Sequence, residues 1–463
     1  MFLIFLVLAK ILGPEIIGLM ALAELFVCLA NTFIIKGLPD YIIQQHEMDN
    51  DRLDAVFYTG LGFGIVLTLL LMLLSKPVAD YFGYPLVEKF LFWLSFLVLI
   101  NAFRNVPYSL FTRNLTFKYL AISSVSGWLI AGITSIIIAH RGYYAESIIS
   151  LHLIRVTIET AIIWIKTDWR PRLKIPKTPV GKLLVFSANI IGVELLNIGN
   201  RRIADLIIGY SLGPVLLGYY YFAYRICFQA VDLLVGTIST VTLPLFSRIQ
   251  HDIPLMRKTL YNVIRQTTLF TFPAFILCFS ITHEFVHLFF GEKWLQGAPV
   301  LQVLFIITLL YSLTYFNGTV IIAKGKPSWR LCIQSIQFIA NITGILIGVN
   351  SGITCVSILY VAAGYLVAPL SFYAVKKLIG IEIAPYSQIL IKPFAASIIM
   401  AGLVYTVKIS LYNLVPDIYL FGILVFTGLF SYMIVINRIS GINIPAQADT
   451  LKTVIFGVKG LKK

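Results

Sequence analysis

The sequence predicts an all-α integral membrane protein of about fourteen transmembrane helices, arranged as two parallel six-helix repeats followed by two C-terminal helices. Three observations carry this. Of the 463 residues, 59% are hydrophobic and 12% are charged, with a mean hydropathy of +0.89; a soluble domain carries about 25% charged residues. One core could not bury so much apolar surface, so the excess must face lipid. Second, runs of about 20 apolar residues recur from end to end, the length a helix needs to cross the hydrocarbon core, and a helix pairs its backbone groups internally where lipid offers no partner. Third, the chain echoes itself. Leu12-Gly13-Pro14 with Gly18 returns as Leu212-Gly213-Pro214 with Gly218, and Leu38-Pro39 with Gln45-His46 returns as Leu243-Pro244 with Gln250-His251. Two matches in the same order point to duplicated halves.

The elements follow in order. The apolar run from Met1 to Ala9 is too short to span a bilayer. The matching run before Leu212 starts near Lys182, so the first helix is expected to be truncated or mis-started. A turn at Leu12 to Glu15 leads into a second helix over 16–35. Further spans are expected at 53–75, 87–103, 119–139, 144–166, 183–210, 215–246, 259–281, 299–323, 331–349, 353–375, 388–410 and 418–437. Gly and Pro punctuate the connections, as at Gly37-Leu38-Pro39, Gly213-Pro214 and Gly325-Lys326-Pro327.

Charge tests the count. Alternate loops, starting with the one that follows the second helix, hold most of the basic residues, from Lys36 and Arg52 to a tail with Arg438, Lys452, Lys459, Lys462 and Lys463. The opposite loops hold only Lys10, Lys76, Lys89, Arg141, Lys293 and Lys408. Basic loops stay cytoplasmic, which places both termini there. The widest basic connector, Thr167 to Lys182, contains Pro171, Pro176 and Pro179 and falls between the repeats. The expected organisation is an N-terminal lobe over 1–175, a second six-helix lobe over 176–380, and two added helices with a basic tail over 381–463. An even number of helices per repeat gives both halves the same topology, related by an axis along the membrane normal.

Several function classes drop out. The net charge of +15 is what basic cytoplasmic loops produce and does not call for nucleic acid. Cys28, Cys227, Cys278, Cys332 and Cys355 are scattered through apolar runs, so neither a disulfide framework nor a metal site is implied. His283, Glu284 and His287 miss the HExxH zinc spacing by one residue. No Walker A loop is present, and no catalytic arrangement or cofactor motif stands out. The connector from Arg104 to Lys118 is basic and aromatic and is expected to lie along anionic headgroups.

The chain resembles the Wzx-like polysaccharide and oligosaccharide flippases of the multidrug/oligosaccharidyl-lipid/polysaccharide exporter superfamily. The resemblance spans nearly the whole chain. It rests on Ala9 to Glu15 with Gly18, where the family usually has Arg in place of Lys10, and on Pro107, Arg113, Phe117 and Lys118. It is strongest at Asp205 to Gly213, Gly218-Tyr219, Ala223-Tyr224-Arg225 and Leu243 to Gln250. It implies a two-lobed, fourteen-helix transporter of the bacterial inner membrane that moves undecaprenyl-diphosphate-linked oligosaccharide between leaflets by alternating access, for O-antigen, capsule or exopolysaccharide synthesis. Its partners would be the lipid-linked oligosaccharide, membrane lipids, and polysaccharide polymerase and chain-length proteins.

Ionisable residues inside spans are costly and tend to face cavities or partners. Here they are Glu24, Arg155, Glu159, Glu194, Arg201, Arg202, Asp205, Arg225 and Asp232. Arginine suits a diphosphate because its planar fork donates paired hydrogen bonds and stays charged, so Arg225, Arg201, Arg202 and Arg155 are candidate substrate-binding residues. Arg225 has two open readings, a phosphate grip or an ion pair with Asp205 or Asp232. Asp205 follows Arg201 by four, and Glu159 follows Arg155 by four, so either pair could instead be structural. Glu24, Glu159, Glu194, Asp205 and Asp232 could hold a coupling proton or sodium ion. Asn31, Asn101, Asn197, Asn200, Gln229, Asn317 and Gln334 could line a sugar path, although helix–helix hydrogen bonding is their commoner role. Tyr219, Tyr220 and Tyr221 are expected in an aromatic belt at the outer interface.

Two rivals remain. A multidrug exporter of the same superfamily would want an acidic cavity for cationic drugs, which the arginine-bearing helices oppose. A membrane glycosyltransferase or polymerase would want a large outward catalytic loop, and the outward loops are short.

Overall fold

The computed structural model describes residues 2–45, 48–172, 180–411 and 414–440. His46, most of the prolines of the connector and the four lysines of the tail lie outside the described residues. Among those described, the regular elements are all helical. In order they are α1 (Phe2–Leu12), α2 (Pro14–Ile35), α3 (Leu38–Gln44), α4 (Asn50–Phe82), α5 (Pro85–Arg113), α6 (Phe117–His140), α7 (Tyr144–Lys166), α8 (Val180–Ser211) and α9 (Pro214–Val231). A π-helical turn, Asp232–Gly236, separates α9 from α10 (Thr237–Arg248). Then come α11 (Ile253–Ser280), α12 (Thr282–Phe290), a 3₁₀ segment (Glu292–Gly297), α13 (Ala298–Ala323), α14 (Pro327–Gly348), a 3₁₀ turn (Val349–Ser351), α15 (Ile353–Ile379), α16 (Ile383–Leu411) and α17 (Asp417–Ser440).

Every segment expected to span is helical, and several helices run well past the expected bounds at one end, as α4 does to Phe82, α5 to Arg113 and α11 from Ile253. Eleven of the described helices are long and apolar enough to cross a membrane: α2 continued through α3, α4 to α7, α11, α13 with its preceding 3₁₀ segment, and α14 to α17. The remaining three expected spans fall on α1, which has 11 residues, on α8, and on α9 with α10. Those last two carry more polar residues: Glu194, Arg201, Arg202 and Asp205 on α8, and four tyrosines with Arg225 on α9. Large apolar side chains such as Leu73, Leu366 and Phe426 project outward, as a lipid-facing surface requires.

Three sequence expectations change. The connector at Gly37-Leu38-Pro39 opens a short helix, α3, because Gly37 takes a positive φ of 82° and Asp40 accepts a hydrogen bond from its amide at 3.1 Å. The connector expected from Arg104 to Lys118 shrinks to Asn114–Thr116, since α5 continues to Arg113. Arg104 is therefore a helix residue turned inward, not a headgroup contact. The loop expected after residue 281 folds into α12 and a 3₁₀ segment whose Phe290 and Trp294 are buried.

Packing divides the chain into two compact units, one ending at Tyr221 and one beginning at Phe222. In the first, α4 packs on α5, α6 on α7, and α5 on both α2 and α7. In the second, α11 packs on α13, α14 on α15, and α13 on both α10 and α15. The order of pairing along the chain is the same in each. At the start of the first unit Gly13 has φ 79° and Pro14 begins α2; near its end Gly213 has φ 85° and Pro214 begins α9. Only glycine takes that backbone without strain, and proline at the first helical position gives up no hydrogen bond, so each Leu-Gly-Pro echo makes one sharp helix start.

Candidate functional site

The polar interior of the first unit is built on one stripe of α2. Glu24, Cys28 and Asn31 follow each other by four and three residues, which puts them on one face of the helix.

Glu24 Oε2 accepts a hydrogen bond of 2.6 Å from Tyr221 Oη and lies 3.5 Å from Arg202 Nη2. Arg202 Nη1 donates to Asp205 Oδ2 at 3.1 Å, and its guanidinium lies over the Tyr221 ring, 5.3 Å from the centroid. Asp205 is buried. A buried carboxylate persists when paired and hydrogen-bonded, and here one arginine serves two. The spacing at which α8 pairs is three, Arg202 to Asp205, where the sequence suggested four from Arg201; Arg201 is exposed. It and Glu194 stand within electrostatic reach of Cys28, and Asn197 Nδ2 donates to Glu194 at 3.2 Å.

Asn31 opens the second cluster. Its Oδ1 accepts from Asn101 Nδ2 at 2.9 Å, and Asn101 Oδ1 accepts from Arg104 Nη2 at 2.9 Å. Arg104 Nη1 is paired with Glu159 Oε2, while Glu159 Oε1 accepts from Arg155 Nη1 at 3.0 Å. The Arg155 guanidinium lies over Trp128, 4.8 Å from its ring centroid. Glu159 is only 5% exposed, with each oxygen taken by a different arginine. Gly127 allows this: a Cβ there would sit 3.0 Å from both the Arg155 carbonyl oxygen and Glu159 Cγ, so α6 can lie directly against α7. Asn105 Nδ2, donating to the Ile34 carbonyl at 2.7 Å, pins α5 to α2.

Of the nine ionisable residues expected to matter, the fold gathers Glu24, Arg155, Glu159, Arg202 and Asp205 into these contacts in the first unit, with Glu194 and Arg201 near Cys28. Arg225 and Asp232 belong to the second unit, Arg225 half-buried on α9 and Asp232 exposed at the start of the π-helical turn. Tyr219, Tyr220 and Tyr221 are buried, at 4%, 0% and 3% exposure, which replaces the expected aromatic belt: they fill the interior, and Tyr221 serves Glu24. Arg104 and Trp128 join the site without a signal in the apolar pattern. Arg104 does stand three residues after Asn101, a helical neighbour spacing, but the apolar run ends just before it. Among the described residues, no group of three or more His, Cys, Asp or Glu could hold a metal ion.

Arginines and carboxylates balance here. Arg104, Arg155, Arg201 and Arg202 stand with Glu24, Glu159, Glu194 and Asp205. Fixed guanidinium groups inside a lipid-facing helical protein can grip an anion in place of their carboxylates; nothing in the arrangement resembles a nucleophile with its base.

The fold matches solved transporters. The inward closed structure of the lipid II flippase MurJ superposes with a TM-score of 0.78 over 95% of this chain and 97% of its own, at 16% identity. An inward-facing multidrug resistance MATE family transporter of the MOP superfamily gives 0.68 over 84% and 94%, at 14% identity. By sequence, the lipopolysaccharide biosynthesis protein WzxC of Escherichia coli (strain K12) is 25% identical over 402 residues, covering 85% of this chain and 80% of WzxC. The teichuronic acid biosynthesis protein TuaB of Bacillus subtilis (strain 168) is 23% identical over 392 residues, covering 82% and 80%. The family model described as polysaccharide biosynthesis protein matches residues 7–299, more than half of the chain, and this multi-pass membrane protein therefore belongs to the polysaccharide biosynthesis protein family.

Proposed function

We propose that the protein is a flippase that carries undecaprenyl-diphosphate-linked oligosaccharide across the bacterial inner membrane for surface polysaccharide synthesis. Two six-helix lobes alternate access to the substrate's head while its lipid tail stays in the bilayer. Fourteen spans with both termini cytoplasmic would follow from the basic loops, with the two C-terminal helices outside the repeat. The observation that carries the reading is the set of arginines held inside the first unit, Arg104, Arg155 and Arg202, in a chain of the polysaccharide biosynthesis family. An arginine fork matches phosphate oxygens and keeps its charge away from water. Arg225, on the part of α9 that belongs to the second unit, is assigned a phosphate contact as well. Polysaccharide polymerase and chain-length proteins would take up the product.

A multidrug exporter of the same fold is the second reading, and the MATE likeness favours it. It would need carboxylates free to meet cationic drugs, whereas Glu159 and Asp205 are engaged by arginines.

The test is reconstitution in liposomes with a labelled undecaprenyl-diphosphate oligosaccharide in one leaflet, following its exposure on the other for wild type and Arg225→Ala. Protein-dependent flipping that the variant loses supports the reading. Extrusion of a cationic dye without lipid flipping would replace it with the exporter.

A further inference from the structure

We propose that Glu159 is a built-in occupant of a phosphate site: the substrate's phosphate takes Arg104 and Arg155 from it, and the released carboxylate takes up a proton from the aqueous phase. The inference rests on the flippase reading and gives that substrate one specific seat in the first unit.

The seat is built to outlast its occupant. Arg155 is stacked on Trp128, and Arg104 is tied through Asn101 to Asn31. Neither anchor depends on Glu159, so both guanidinium groups stay placed when the carboxylate leaves. They come from different helices, α5 and α7, and converge on the two oxygens of one carboxylate, an arrangement that phosphate oxygens can take over. Donor capacity remains too: Arg155 Nε is buried with no hydrogen-bond partner.

Charge then requires the proton. The ionisable groups facing Glu159 are Arg104 from α5 and Arg155 from its own helix; α6 has no Asp, Glu, Lys, Arg or His between Lys118 and His140, carries Tyr119 more than two turns before Trp128, and offers Trp128. From α2, Glu24 stands within electrostatic reach of Arg155, and His152 lies one turn before Arg155 on α7. Arg104 and Arg155 carry two positive charges against the one negative charge on Glu159, so a diphosphate diester with its two negative charges is matched in this low dielectric only once Glu159 is neutral. The carboxylate that loses both partners and is 5% exposed is the one that cannot stay ionised. One proton from water onto Glu159 leaves the two guanidinium charges of Arg104 and Arg155 facing the two negative charges of the diphosphate.

Binding to the purified full-length protein in detergent tests this, with farnesyl diphosphate as the probe. Calorimetry in two buffers of different ionisation enthalpy, at several pH values around neutrality, counts protons. Wild type is expected to take up about one proton per probe more than Glu159→Gln, and its affinity relative to that variant to fall about tenfold per pH unit while uptake lasts. Glu159→Gln, lacking the competing carboxylate, should bind about tenfold more tightly at alkaline pH. Comparison with the variant cancels the probe's own titration. Infrared difference spectra give a readout that survives misfolding of the Gln variant: a carboxylic-acid C=O band should appear when probe is added to wild type and shift in Glu159→Asp. Probe binding with equal proton counts in wild type and Glu159→Gln, or with no new carboxylic-acid band, overturns the inference and leaves the flippase reading standing. No binding of the probe to wild type overturns both.

Discussion

Gly18 and Gly218 each lie against the proline that begins the other's helix. A methyl group on Gly18 would overlap the Pro214 carbonyl oxygen and fall 2.9 Å from the Gly218 amide nitrogen; one on Gly218 would overlap the Pro14 carbonyl oxygen and stand 3.0 Å from Pro14 Cα. Such reciprocity, i against j and j against i, is how a two-fold contact looks. Here it arises within one chain between its two Leu-Gly-Pro-xxx-Gly echoes. It brings the backbones of α2 and α9 together, which is what lets Tyr221, one turn on from Gly218, reach Glu24 on α2.

Gly18→Ala and Gly218→Ala should therefore each destabilise the protein by about 1–3 kcal/mol, because the obstacle is backbone and cannot rotate away. Alanine in an open helical site does the reverse, gaining up to about 1 kcal/mol. Gly62→Ala is the matched control, since nothing lies within 4 Å of a Cβ at that position. Thermal unfolding in detergent reads the difference. The double glycine variant should lose less than the sum of the singles, as both report one crossing.

Much of this was legible in the chain. Apolar run length located the helices, because lipid imposes a minimum span, and the echo at Gly13 and Gly213 announced two identical helix starts. The helix ends were not legible: charged and aromatic residues such as Arg104 and Arg113 can prolong a helix beyond the apolar run, so the boundary drawn at residue 103 hid an interior arginine. Spacing on one helix suggested Arg201 with Asp205. The orientation of α8 chose Arg202, because Glu24 and Tyr221 on other helices were there to receive it. Partners that lie 55 or 197 residues apart, as Arg104 with Glu159 and Glu24 with Tyr221 do, leave no periodic trace.

Arg202→Lys and Arg201→Lys should separate sharply. Arg202 pairs with Asp205, approaches Glu24 and covers the Tyr221 ring at once, and an ammonium cannot reproduce the fork and the stacking together. Arg202→Lys is expected to lose about 2 kcal/mol of stability. Arg201 is exposed, and Arg201→Lys should stay within about 0.5 kcal/mol of wild type. Unfolding midpoints of the two purified variants check this.

The chain segment that leaves α7 is fastened back onto α4. Arg172 Nε pairs with Asp54 Oδ2 at 2.8 Å, and Tyr58 Oη donates to the Arg172 carbonyl at 2.9 Å, beside a cluster of Phe57, Trp164 and Trp169. The pair is lopsided: the Asp54 side chain is 2% exposed and that of Arg172 is 47%. Removing the arginine strands a buried charge, whereas removing the aspartate leaves an arginine that water can reach. Arg172→Ala should thus cost about 3 kcal/mol and Asp54→Asn about 1 kcal/mol. Equal losses in thermal unfolding would contradict the asymmetry.

The two C-terminal helices are held to the second unit by an apolar seam and one interior ion pair. Met400, Val404, Leu420 and Leu424 of α16 and α17 pack with Leu269, Ile276 and Leu277 of α11, and Tyr432 Oη donates to the Leu269 carbonyl at 2.9 Å. Lys408 Nζ on α16 stands 2.6 Å from Glu284 Oε1 on α12. The Tyr432 hydrogen bond joins α17 to α11 and His287 Nδ1, 3.3 Å from Asp417 Oδ2, joins α12 to α17, whereas Lys408 with Glu284 is the interior ion pair that joins α16 to α12. Lys408→Met leaves Glu284 buried without its cation and should cost about 3 kcal/mol. Glu284→Gln leaves a lysine whose long stem can carry its charge toward water, and should cost about 1 kcal/mol. In the double variant no charge is stranded, and its loss should fall about 2 kcal/mol short of the sum of the singles. Unfolding of the four proteins in the same detergent measures that coupling; additive losses would mean that the ion pair does not hold α16 to α12.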